Sequence, residues 1–135
     1  MTTLAGTLAQ PSVTHAAPVG AAGQAGLARP VRGVRVMGVE IAHVTEAGCI
    51  EHILSELAAG RGGHVVTLNL DMLRRCRSDA GFRRLVGESE LVVADGMPLV
   101  WASRMQGTPL PQRVAGSSLV SSLAQAASER GRTLF

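Results

Sequence analysis

The sequence predicts an α/β fold, a parallel sheet with helices on both faces. Val65-Val66-Thr67-Leu68 and Leu91-Val92-Val93-Ala94 are short apolar runs, the pattern of strands buried on both faces of a parallel sheet. Segments with apolar residues at helical spacing lie around and between them. Strand and helix thus alternate along the chain, which argues for a layered sheet rather than a bundle or a sandwich.

The elements follow in order. Residues 1–30 are rich in Ala, Gly, Thr and Pro with no sustained period, and are expected to be a disordered or weakly ordered extension. A folded domain is expected over residues 31–135. Val34, Val36, Val39 and Ile41 lie in a β-prone stretch broken by Gly38. Thr45 reads as the N-cap of a helix carrying Ile50, Ile53, Leu54, Leu57 and Ala58, which ends at Gly60, Gly62 and Gly63. His64 to Leu68 is a strand. Asp71 opens the next helix, with Met72, Leu73 and Cys76 on its inner side. Ser78 or Asp79 caps a short helix carrying Phe82, Leu85 and Val86.

Leu91 to Ala94 is the second buried strand. Met97 to Met105 reads as a helix, with Pro98 tolerated in its first turn. Trp101 is expected in the core there. Pro109 and Pro111 mark an extended loop, and Ser117 or Ser118 caps a helix running to about Arg130. Gly131 ends that helix, and Thr133-Leu134-Phe135 begins a strand. The chain stops a few residues into what should be a central strand, so the sheet is expected to be truncated before it is complete.

Composition narrows the function classes. All thirteen basic residues are Arg, and the formal charge is +3. Residues 1–36 hold three of those Arg and no acid, so the remainder balances ten Arg against ten Asp plus Glu. With an aromatic fraction of 2%, the chain lacks the basic stripe with stacking aromatics that marks a nucleic-acid binder. Cys49 and Cys76 are isolated and read as buried free thiols, which fits a reducing cytoplasm. No run approaches the ~18 apolar residues of a membrane span. GxGxxG, Walker A and GxSxG strings are absent. No acidic pair presents itself for a metal, and His15, His43, His52 and His64 are scattered, so no metal or cofactor is expected.

Ligands of open α/β sheets bind beyond the carboxyl ends of the strands. Thr67 and Asn69 end one strand, Asp95 and Gly96 end the next, and Gly116 and Ser117 start a helix after a loop containing Arg113. Alone, Asp95-Gly96 reads more readily as a tight turn. The alternative is a carboxylate at a pocket floor, ionised at neutral pH and available as a general base. Thr67 and Asn69 can hydrogen-bond a sugar hydroxyl or acetamido group. For Asn69, capping of the following turn competes on equal terms. Arg113 is either a solvated surface residue or a bidentate clamp on a diphosphate. The helix start at Gly116-Ser117 can offer N–H groups to the same anion.

Taken together, the strings Ala94-Asp95-Gly96-Met97-Pro98-Leu99-Val100-Trp101-Ala102 and Pro111-Gln112-Arg113-Val114-Ala115-Gly116-Ser117 resemble the WecG/TagA/CpsF glycosyltransferase family, glycosyltransferase family 26. Val36-Met37-Gly38-Val39, Thr45-Glu46-Ala47, Val65 to Asn69, Phe82-Arg83 and Gly131 to Phe135 extend the resemblance over most of residues 36–135. It implies a Rossmann-like fold and an inverting hexosyl transfer, typically of N-acetylmannosamine from a UDP-sugar donor. The implied acceptor is a sugar on a polyprenyl diphosphate, as in teichoic acid, common antigen or exopolysaccharide synthesis. By position, Asp95 would be the catalytic base. Thr67 and Asn69 would match the sugar-contacting strand end and Arg113 the loop arginine; beside them, Gly96, Gly116 and Ser117 are expected to contact substrate from their place at the strand end and helix start. The resemblance also implies a cytoplasmic protein, with peripheral contact at the inner face of the membrane and homo-oligomerisation left open. Two other readings stand beside it: a truncated, non-catalytic remnant, and a Rossmann-like nucleotide-binding module.

Overall fold

In the computed structural model, residues 31–133 are described. The extension expected over residues 1–30 lies outside them, and the strand expected from Thr133 runs beyond them. Four strands and five helices follow in the order β1 (Gly33–Val36), β2 (Val39–Ala42), α1 (Glu46–Ala58), β3 (Val65–Leu68), α2 (Leu70–Ser78), α3 (Ala80–Gly87), β4 (Leu91–Ala94), α4 (Met97–Met105) and α5 (Gly116–Glu129).

The parallel sheet is narrower than expected. β3 and β4 pair in parallel, with Val65 opposite Leu91 and Leu68 opposite Ala94. The break at Gly38 turns the first stretch into an antiparallel hairpin, β1 with β2. Its two-residue turn has both φ angles positive, +48° at Met37 and +87° at Gly38, as a type I′ turn requires. β2 then lies alongside β4. The result is α/β, with one parallel and one antiparallel pair.

β4 organises the core. All four of its residues are buried, and a strand sends alternate side chains to opposite faces. Val92 and Ala94 join Leu68, Leu73, Val86, Leu99 and Val100 on one side. Leu91 and Val93 join Cys49, Val114 and Leu119 on the other. Helices α2, α3 and α4 therefore serve the first face, and α1 and α5 the second. Cys49 and Cys76 are free and buried. Burial pushes the Cys49 thiol up to about 11, since a thiolate would lose its hydration there.

The helix starts show the local chemistry. Thr45 Oγ1 accepts from Gly48 N–H at 3.1 Å, and Asp79 Oδ1 accepts from Phe82 N–H at 2.8 Å. α2 begins one residue earlier than Asp71 would place it, because Asn69 is the cap and its Oδ1 accepts from Met72 N–H at 2.9 Å. Neither Ser117 nor Ser118 caps α5. Its N-cap is Ala115, which offers no side-chain acceptor.

Trp101, expected in the core, faces outward, as does Leu85 on α3. Trp101 is 54% exposed and Leu85 is 62% exposed. On α4 the buried residues are Leu99, Val100 and Ser103. At about 100° per residue, Trp101 projects roughly 150° from the middle of that arc, so it cannot share the arc's burial.

Ser103 is a fully buried polar side chain on α4. Its Oγ donates to Val100 O at 2.7 Å and accepts from Leu110 N–H at 2.9 Å, which pins the Pro109–Pro111 loop to the core. Ser103→Ala leaves the Leu110 N–H without a partner, and should cost about 1–3 kcal/mol in urea unfolding. An unchanged midpoint would show that the loop satisfies Leu110 in another way.

Candidate active site

Two backbone bonds bring the sequence-selected residues to one edge. Asp95 N–H donates to Leu68 O at 2.8 Å, so the ends of β3 and β4 are level. Val114 N–H donates to Ala94 O at 2.8 Å, so the loop carrying Arg113 returns to the same strand end. Thr67, Asn69, Asp95, Gly96, Arg113, Gly116 and Ser117 all lie at this edge as a result. It is the carboxyl end of both parallel strands, where open α/β sheets hold their ligands.

The closest contact is between Asp95 and α5. Asp95 Oδ2 accepts from Gly116 N–H at 3.2 Å. The first N–H groups of a helix have no acceptor within the helix, and a carboxylate is favoured there by the helix dipole. With Ala115 as N-cap, Asp95 supplies from β4 the acceptor that α5 lacks.

Gly116 also lies against β3. A Cβ at this position would sit 3.0 Å from Thr67 Oγ1 and 3.5 Å from Thr67 Cγ2. The absence of a side chain thus lets the start of α5 approach Thr67 and Asp95 together. Gly96 has a different reason to be glycine: its φ of +142° is closed to most L-residues. It turns the chain from β4 straight into α4, where Pro98 occupies the first turn.

The remaining candidates are less constrained. Asn69 is exposed, with its Oδ1 committed to the α2 cap, so only its amide nitrogen is free for a ligand. Ser117 and Arg113 are exposed. Among the described residues Arg113 enters none of the six ion pairs. Its guanidinium is therefore available to an anion at the edge. A carboxylate with a fixed backbone, a threonine hydroxyl, helix N–H groups and a free arginine can together accept a proton and hold a phosphorylated leaving group.

Other features emerge only in three dimensions. Glu46 reaches α5 across the face that carries α1, a link of more than seventy residues in sequence that no local pattern signals. A groove of about 530 Å³, lined in part by Arg35, Glu40, His52, Arg83 and Glu90, lies at the amino end of β4. Its lining carries both Arg and Glu, and the strand-end rule points to the opposite edge.

Comparison with known proteins gives the family. A family model for the glycosyl transferase WecG/TagA/CpsF family matches residues 34–135. The chain is also similar to the N-acetylglucosaminyldiphosphoundecaprenol N-acetyl-beta-D-mannosaminyltransferase of Bacillus spizizenii, at 25% identity over 79 residues. The aligned stretch is 58% of this chain and 31% of that relative, so the chain spans about a third of the relative's length.

The approach of Gly116 to Thr67 is testable without a substrate. Gly116→Ala forces the new methyl against the Thr67 hydroxyl and should destabilise by about 1–3 kcal/mol, the usual cost of overpacking. Thr67→Ala in the same chain removes the obstacle and should return part of that loss. Strict additivity of the two changes in chemical denaturation would show that the residues do not meet.

Proposed function

Because the chain belongs to the WecG/TagA/CpsF glycosyltransferase family, we propose that the Asp95 edge transfers a hexose, N-acetylmannosamine or a close relative, from a UDP-sugar to a lipid-linked acceptor. The acceptor would carry its own sugar on a polyprenyl diphosphate. The observation that carries this reading is the Asp95 carboxylate at the end of a buried strand, oriented by the Gly116 N–H and adjacent to Thr67.

In the proposed step an acceptor hydroxyl attacks the anomeric carbon and the bond to the UDP oxygen breaks. Asp95 takes the hydroxyl proton as the new glycosidic bond forms, and UDP leaves with the bonding electron pair. A single displacement from the face opposite the leaving group inverts the anomeric centre. Arg113 and the N–H of Ser117 would face the charge that develops on the diphosphate, where preorganised donors act most strongly. Thr67 and the Asn69 amide would orient the sugar, and Gly96 keeps the backbone close enough for it to approach. No metal enters this scheme.

Residues 31–135 would then form the N-terminal part of a Rossmann-like transferase domain. Among the described residues no helix is long and apolar enough to cross a membrane. A lipid-linked acceptor would be met at the membrane surface, and a cytoplasmic site on its inner face suits a UDP-sugar donor.

The decisive experiment is transfer of labelled N-acetylmannosamine from UDP to a short-chain polyprenyl diphosphate carrying N-acetylglucosamine. Asp95→Asn should lower turnover by about 10²–10⁴, the usual contribution of a general base. Near-native turnover in that variant removes Asp95 from the role.

Arg113→Ala tests the leaving-group side. Loss of one charge-assisted contact of about 1.5–3 kcal/mol should weaken donor binding or kcat by ten- to a hundredfold. Unchanged donor affinity together with unchanged turnover would show that Arg113 does not touch the diphosphate.

A further inference from the structure

We propose that Glu46 is a positioning residue for this site: by gripping two serines one turn apart on α5, it fixes the helix where the Gly116 N–H meets Asp95. The effect on catalysis rests on the transferase reading above; the effect on geometry does not.

Glu46 stands in the first turn of α1, directly after the N-cap Thr45. Its Oε2 accepts from Ser118 Oγ at 2.7 Å and its Oε1 accepts from Ser122 Oγ at 2.7 Å. Residues four apart lie on one helix face, so the carboxylate spans a full turn of α5 with an oxygen at each end. Bonds from a hydroxyl to a carboxylate are short and directional. The Ser122 and Ser118 donors hold the Glu46 carboxyl below its ordinary range. Ser118 Oγ also lies 3.1 Å from Ala115 O, the carbonyl immediately before Gly116. The grip therefore acts within one residue of the contact that matters.

The need for such a grip follows from how α5 is otherwise held. Leu119 and Ala127 are its buried residues, and Leu119 packs in the layer with Cys49 and Val114. Apolar burial is non-directional. It resists lifting the helix from the sheet, but sliding or turning it much less. A slip of one residue moves the helix by about 1.5 Å and turns it by about 100°. That would carry the Gly116 N–H away from Asp95 Oδ2. Ala115 supplies no side-chain cap to oppose the slip. Among the described residues three polar contacts set the register: Asp95 on Gly116 and Glu46 on Ser118 and Ser122 near its start, and Glu51 on Arg130 at its far end; only the first two act at the Gly116 end.

Amide hydrogen exchange of the full chain by NMR tests this. The Gly116 N–H has no acceptor in its own helix, so its protection reports the Asp95 contact. Glu46→Ala should speed Gly116 exchange on the order of five- to tenfold, the equivalent of about one net hydrogen bond, while Val93 in the middle of β4 keeps its rate. Ser118→Ala with Ser122→Ala removes the same grip from the other side and should give the same pattern, which also covers the case that Glu46→Ala folds poorly. Glu46→Gln keeps one acceptor oxygen and should show a smaller change. Unaltered Gly116 exchange in both the Glu46→Ala and the double-serine proteins overturns the proposal. So does acceleration of Val93 equal to that of Gly116, which would mean general loosening. Absence of sugar transfer with this exchange pattern intact would overturn the transferase reading and leave the positioning role standing.

Discussion

The hydrogen bond from Gly116 N–H to Asp95 Oδ2 is the contact on which the site depends, because it orients the Asp95 side chain where β4 and the start of α5 are already brought together by the Val114 N–H on Ala94 O. Asp95 is held by β4, a strand buried on both faces, and by its own N–H on Leu68 O. α5 is held by packing on α1 and by the return of its preceding loop to Ala94. Either could shift by an ångström and still bury its apolar surface. The contact requires that both be right at once. It explains the glycine at 116, which makes room for Thr67, and the tolerance of an N-cap as poor as Ala115. A helix start without its own cap is usually a cost; here a carboxylate from the neighbouring strand meets it.

The same contact changes what the start of α5 can offer a ligand. Free helix N–H groups attract phosphate, but Gly116 already serves a carboxylate. A diphosphate arriving in the proposed transfer would share one helix end with Asp95, and like charges in proximity raise the cost of keeping both ionised. Arg113 then matters more than a lone surface arginine would. Among the described residues it is committed to no carboxylate, and its loop is anchored to the same strand end through Val114. A cation placed there would offset the repulsion between the proposed base and leaving group. In the proposed transfer the helix end would orient the base, and the arginine would carry more of the leaving-group charge.

Much of this edge was legible in the sequence because it is written locally. Apolar runs named β3 and β4, Thr45 and Asp79 announced the helix starts, and Pro98 marked the first turn of α4. Strand ends in an α/β layer then placed Thr67, Asn69, Asp95 and Gly96 together. The rest depends on partners distant in the chain. Ser117 and Ser118 fit the composition of an N-cap, yet the acceptor is Asp95, twenty-one residues earlier than Gly116. Gly38 was read as a break in one strand, whereas the two positive φ angles make it a hairpin. Trp101 sits among apolar neighbours, but its burial is decided by the angle of its side chain around α4. Local hydrophobicity does not carry that angle when the buried arc is as narrow as Leu99, Val100 and Ser103. Glu46 carried no local signal beyond a first-turn acid, a position that the helix dipole alone would explain.

The two ends of β4 differ in how their charged residues are held. The groove at the amino end is roomy, and its charged residues come as opposites, Arg35 and Arg83 with Glu40 and Glu90. Glu90 is already engaged, accepting from His64 N–H at 2.7 Å. Its side chain therefore finishes the turn into β3 and β4. At the carboxyl end the carboxylate has one oxygen on a helix N–H, and its backbone is locked to a neighbouring strand. The residues around it enter the edge from β3, β4, the Arg113 loop and α5. Fixed orientation is what proton transfer requires, since the base must lie within hydrogen-bond reach of the proton that it takes. A parallel pair provides that orientation at its carboxyl end because both strands stop at the same level. The chain leaving each strand must turn there into a helix, and the residues that make those turns are small and polar: Asn69 and Gly96 at the strand ends, and Gly116 where α5 begins. The residues that build the turns are thus the ones left at the edge where the proposed ligand would bind.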